Sequence, residues 1–222
     1  LFMNGVNVVT DAGAYLYTAS REWRNRFRST AFHNTIQVDG EEVNRFVEPN
    51  ALWQLVDDAR PAEVRWDFGR GGNFWQGSHT GYQRLAAPAT PARMVWLDAA
   101  RALVAFRDVV AGEGRRRITI RWHLDPACAV SIENGDVRIT CGAAEVWMLP
   151  ADCGGADLAV HEGWVSKSYG VKAESRVIVF ERDVALPFSW SYLFADSRLG
   201  LPVRLEAMAA LERAAQQSNK GE

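Results

Sequence analysis

Residues 11–40 read DAGAYLYTASREWRNRFRSTAFHNTIQVDG, and the organisation of the chain turns on them. They place Asp11 ahead of two tyrosines, then Arg21, Arg24, Arg26 and Arg28, and then His33. Residues 35–38 alternate polar and apolar as a strand does, and Asp39-Gly40 after them is a turn signal. The preceding residues 6–10 read as a strand, whereas residues 20–29, polar and arginine-rich, read as an ordered surface loop. The first nine residues are an apolar run without an initiator Met, so the chain reads as a piece of something longer.

Strand-like segments recur outward from this stretch, separated by Gly, Pro and Asn-Gly punctuation. They cover residues 52–56, 64–68, 93–98, 103–110 and 115–124, then 129–132, 137–141, 146–149, 176–180 and 188–194. Asn134-Gly135 is the strongest hairpin signal, because both residues tolerate the positive φ of a type I′ turn. The glycine-rich residues 69–77 read as a flexible loop. Such spacing predicts an all-β fold, a large antiparallel β-sandwich over residues 1–199. In residues 200–222 the pattern changes: Leu201, Leu205, Met208, Leu211 and Ala215 recur at helical spacing. An amphipathic C-terminal helix with a frayed tail, part of the same domain, is expected there.

Composition narrows the function classes. The 222 residues are 48% hydrophobic with a formal charge of −2, a balance that suggests neither disorder nor generic nucleic-acid binding. No apolar run approaches the ~20 residues of a membrane-spanning helix. Nine tryptophans suit either sheet packing or a sugar-stacking surface, and composition does not separate the two. Cys128, Cys141 and Cys153 are odd in number and lack CxxC spacing; although Cys128 and Cys141 flank the hairpin symmetrically, buried thiols are expected rather than a disulfide framework.

Chemistry rests on few residues. If the loop between them returns the chain to its start, Asp11 and His33 come within bonding distance, as a hydrogen-bonded pair or as two metal ligands; a zinc site usually needs ~4. The arginines at positions 21, 24, 26 and 28 suit a carboxylate or sulfate, or the protein's own acids. Flanking glycines around His79, in the run GSHTGY that ends at Tyr82, permit a ligand or another backbone to approach closely. A structural role is favoured for His123, and His161 carries no clear signal.

The runs VTDAGAYLY (residues 9–17) and RFRSTAFHNTIQVDG (residues 26–40) resemble the heparinase II/III-like polysaccharide lyases. GSHTGY at 77–82, RWHL at 121–124 and WVSKSYG at 164–170 look like later landmarks, so the resemblance spans about residues 1–195. It implies the C-terminal β-sandwich region of an enzyme whose N-terminal α/α toroid lies outside these residues. It also implies β-elimination of uronic-acid-containing polysaccharides, heparin, heparan sulfate or alginate, with the catalytic residues upstream of Leu1. Arg21, Arg24, Arg26, Arg28, His79 and Tyr82 are then candidates to face the substrate. A structural zinc is implied too, with Asp11 and His33 matching two ligands and the third protein ligand upstream. A periplasmic or secreted location follows from such substrates. The other reading is a non-catalytic glycan-binding or docking module.

Overall fold

The computed structural model describes residues 1–47, 53–69, 72–151 and 157–218. Two short strands, β1 (Phe2–Met3) and β2 (Val6–Asn7), pair with each other ahead of helix α1 (Arg21–Phe27), a 3-10 turn (Thr30–Phe32) and β3 (Ile36–Val38). A run of antiparallel strands follows: β4 (Pro61–Gly69), β5 (Gly72–His79), β6 (Ala89–Asp98), β7 (Leu103–Gly112), β8 (Arg115–His123), β9 (Cys128–Glu133), β10 (Asp136–Cys141), β11 (Ala144–Pro150), β12 (Leu158–Ser168), β13 (Val171–Ala185) and β14 (Phe188–Ala195). Helix α2 (Leu201–Ser218) ends the described residues. The strands form an eight-stranded sheet, β4-β5-β6-β7-β14-β11-β10-β9, facing a four-stranded sheet, β12-β13-β8-β3.

Alternation along each strand builds the core between the sheets. From the large sheet come Phe106, Tyr192, Phe194, Met148 and Ile139; from the small one come Ile36, Val38, Ile120, Trp122, Ile178 and Phe180. Aromatic packing is dense: Phe180 stacks on Trp190 at 4.3 Å, and Phe106 meets Trp122 at 4.9 Å. The opposite face of the large sheet presents Phe74, Trp96, Leu103 and Leu193 to α2, which buries Ala207, Met208 and Leu211 on them. Arg204 on α2 grips Asp136 with two bonds of 2.6 and 2.8 Å. Leu201 and Leu205, expected on the buried stripe, are more than half exposed. The contact surface is lined with alanines at 207, 210 and 214, which let the helix lie close to the sheet.

Several expectations need correcting. Residues 20–29 contain a helix, not a loop. Ser20 caps it by accepting from the Trp23 N–H at 3.3 Å, while Trp23 and Phe27, one turn apart, supply its packing face. The arginine count masked that spacing. Residues 72–79 are a strand bonded on both sides rather than a flexible loop. Its Gly77 makes room for the Trp75 ring, which lies 2.6 Å from where a Cβ would stand. Among residues 53–56 only Leu55 makes a bridge, to Phe46, so the expected strand is absent among the described residues, and position 52 lies outside them. The strand β12 was not anticipated.

Cys128 and Cys141 form a disulfide, overturning the free-thiol expectation; Cys153 lies outside the described residues. The Asn134-Gly135 turn, with φ of 55° and 84°, puts the two cysteines directly opposite each other, 4.3 Å apart at Cα. Replacing both by serine is expected to cost about 2–3 kcal/mol, the scale for a loop this short, read as a lower urea midpoint.

Candidate substrate wall and metal-ligand pair

The turn after β2 is built by Asp11 itself. Its Oδ1 accepts the Gly13 N–H at 2.8 Å, and Gly13 has φ +81°, with the Ser166 carbonyl oxygen 2.0 Å from where a Cβ would stand. Any other residue at 13 would push this loop off β12. Asn34 then ties three segments together. Its Nδ2 donates to the Thr10 carbonyl at 2.9 Å, and its Oδ1 accepts the His123 N–H at 2.7 Å. The Thr10 N–H closes the ring onto the His123 carbonyl at 2.9 Å. These bonds bring residues 22 positions apart side by side: His33 Nδ1 lies 2.7 Å from Asp11 Oδ2.

That pair is accessible, with side-chain exposures of 39% for His33 and 59% for Asp11. Partial burial works to raise the Asp11 pKa, but the bonds from His33 and Gly13 prevail and hold it below the ordinary carboxylate value. Among the described residues, no group of three or more His, Cys, Asp or Glu side chains is placed to hold a metal.

His33 opens onto a cavity of about 280 Å³ shared with Arg28, Thr35, Glu42 and His79. A second cavity of about 420 Å³ adjoins it through Thr35 and His79 and continues past Trp75 and Arg93. Three of the expected substrate and metal residues therefore share one wall. Burial depresses the His79 pKa, which keeps the ring neutral, and its Nδ1 accepts the Gly81 N–H at 3.2 Å. Tyr82 sits behind the wall rather than on it: it is fully buried, its one hydroxyl proton shared between the Ile36 and Glu41 carbonyls, each 3.3 Å away.

The arginines do not form one patch, because α1 spreads them around its axis. Arg24 is 5% exposed and bonds the Tyr17 carbonyl at 3.4 Å. Arg28 lies over Phe46 at 4.4 Å, and Arg26 over Trp23 at 5.0 Å. Arg21 is exposed. Trp23 and Trp164 in turn clasp the Lys172 ammonium at 3.4 and 3.5 Å, which pins α1 to the small sheet.

Arg93, unremarked in the sequence, supports the wall from beneath. It pairs across strands with Asp108 through bonds of 2.6 and 2.8 Å, and its Nη1 donates to the Asn34 carbonyl at 2.6 Å. Its only signal was an arginine and an aspartate at corresponding positions of the β6–β7 meander.

Comparisons with known proteins agree with this architecture. A family model described as "Heparinase II/III-like, C-terminal" matches residues 1–200. Among solved structures, the chain is similar to heparan sulfate lyase HepC from Pedobacter heparinus, with TM-score 0.68 and 19% identity, covering 88% of this chain and 30% of that one. It is also similar to a crystal structure described as heparinase III, with TM-score 0.64 and 12% identity, covering 88% and 29%. The chain thus spans less than a third of the length of either. No curated protein matches it. With the family model covering all fourteen strands of the described residues, the chain belongs to the heparinase II/III-like family, whose C-terminal region it matches.

Proposed function

We propose that the chain is the C-terminal part of a lyase that cleaves uronic-acid-containing polysaccharides by β-elimination, itself inactive because the proton-transferring residues lie upstream in an α/α toroid. The observation that carries this reading is the shared wall on which His33, Arg28 and His79 meet in a chain of this family. β-Elimination needs the uronate carboxylate neutralised, the C5 proton removed and the leaving O4 protonated. Arg28 supplies positive charge for the first task, and His79, kept neutral, offers a hydrogen bond rather than a charge. The test is the absorbance of the unsaturated uronate product. Activity is expected when the chain is joined to its upstream sequence and not from the 222 residues alone. Turnover by the chain alone would put the chemistry in the wrong half.

Asp11 and His33 fit half of a zinc site by donor type and adjacency, and the remaining protein ligand is proposed to come from upstream. Bound there, zinc would brace the loop bordering the cleft rather than take part in proton transfer. Either Asp11→Ala or His33→Ala is expected to lower the zinc affinity of the joined protein more than ~10-fold in a chelator competition titration. Unchanged affinity in both variants would remove the metal assignment.

A periplasmic or secreted location is proposed as well, supported by the Cys128–Cys141 disulfide, which persists in oxidising compartments. A non-catalytic glycan-binding module is favoured by one observation: Trp66 and Trp75 pair across β4 and β5 at 61% and 40% exposure, beside a 71% exposed Phe68. Inactivity of the joined protein on every acidic glycan, with retained binding, would select it.

A further inference from the structure

The small sheet has a second recess, on the face turned away from the core and apart from the wall above. Trp122 of β8 points into the core, so its neighbours Arg121 and His123 point the other way and line a cavity of about 240 Å³. Arg26 and Phe32 reach over it from α1 and the 3-10 turn, and His161 and Trp164 of β12 close the far side.

Two features of the recess are unmet by the protein. Arg26 has no carboxylate partner among the described residues and lies against the Trp23 and Phe32 rings at 5.0 and 5.9 Å; Arg121 donates to the neutral Gln37 Oε1 at 2.6 Å, with Glu181 and Glu42 near enough to attract it but forming no ion pair. The acid at the rim, Glu162, is 92% exposed and lies 3.8 Å from Arg176. His123 is 2% exposed; its Nε2 meets the Ala31 carbonyl at 3.1 Å, yet its Nδ1 has no partner. Two guanidiniums without an ion-paired carboxylate at one recess suit a ligand that brings an anion. The rings of Phe32 and Trp164 at the same recess add apolar faces on which a sugar ring can rest.

We propose that this recess is a second saccharide subsite, holding the carboxylate or sulfate of one acidic sugar unit between Arg26 and Arg121, beside the His123 ring. It deepens the polysaccharide reading above, from which it takes the source of the ligand but not the geometry. The 222-residue chain is titrated with three probes: a heparin-derived oligosaccharide, an alginate oligosaccharide and inorganic sulfate. Binding is followed by tryptophan fluorescence and by the ring-nitrogen resonances of His123. One or both oligosaccharides are expected to shift the His123 resonances, and the exposed-site variant Arg26→Gln to weaken that binding ~10-fold, as loss of a charge-assisted hydrogen bond does. Arg121→Gln is expected to act in the same direction. A response to heparin fragments alone assigns the arginines to sulfate; a response to both assigns them to either acid. Sulfate binding as tightly as the oligosaccharides, an unmoved His123 resonance, or affinity unchanged in Arg26→Gln would each overturn the proposal. Oligosaccharide binding here with no turnover by the joined protein would sink the lyase reading alone, and turnover without this binding would sink the recess alone.

Discussion

Arg93→Met is expected to destabilise the chain by about 3–5 kcal/mol, a large share of the stability of a domain this size. Asp108, 1% exposed, would be left as a buried carboxylate whose remaining hydrogen bond comes from the Tyr192 hydroxyl at 2.7 Å. In the native chain burial works against the Arg93 charge, but attraction to Asp108 prevails and raises its pKa above the ordinary arginine value. Replacing the group as a whole, Arg93→Met with Asp108→Leu and Tyr192→Phe, is expected to recover most of the loss, since apolar residues of similar volume often replace a buried pair at little cost. Urea denaturation of the variants measures both effects. A loss below ~1 kcal/mol in the single variant, the scale of a surface pair, would show that the pair does not hold the meander together. The same substitution removes the donor to the Asn34 carbonyl, so His33 in the single variant is expected to lose its fixed approach to Asp11.

Acidification is expected to weaken the fold between pH 6.5 and about 4, the upper part of that window lying above the range in which carboxylates titrate. Burial pushes the His123 pKa down from 6.5 to about 4, with the Ala31 carbonyl opposing it in part. In that window the unfolded chain binds a proton at this residue that the folded chain refuses. Stability therefore rises with pH across it and falls as pH drops toward 4. The difference amounts to about 3 kcal/mol over the window. His79, also depressed by burial, adds in the same direction, so the pH series is run in a His79→Gln background. His123→Leu in that background is expected to be less stable at neutral pH but to lose most of the slope between pH 6.5 and 4. A slope that survives the substitution would assign the acid sensitivity elsewhere.

Much of the fold was legible because its local signals are short-range. Asn134-Gly135 accepts positive φ at both positions, so the hairpin around it could be read from two letters; Asp39-Gly40 did the same for the end of β3, where the Glu41 N–H closes the turn on the Val38 carbonyl at 2.9 Å. The meander joined at residues 99–101 was readable from its two alternating arms, which pair over their full length. Other segments were not. β5 looks like a loop because its glycines make room for tryptophan rings, Gly77 for Trp75 in the same strand and Gly72 for Trp96 in β6, and α1 looks like a loop because its packing face consists of two aromatics among four arginines. The disulfide hinged on register: flanking a hairpin symmetrically left both outcomes open until the turn placed the cysteines opposite each other.

By itself the sequence determined an all-β chain with a helical end and singled out Asp11 and His33, because alternation, turn chemistry and one ordered motif are properties of neighbouring residues. Only the tertiary structure decided which side chains share a surface. It closed the Asp11–His33 contact through Asn34, buried Arg24 and Tyr82, carried His79 to His33, and set Arg93 against Asp108 inside the sandwich. Burial and charge pairing depend on what lies across a sheet or behind a helix, and those neighbours are tens of residues away along the chain.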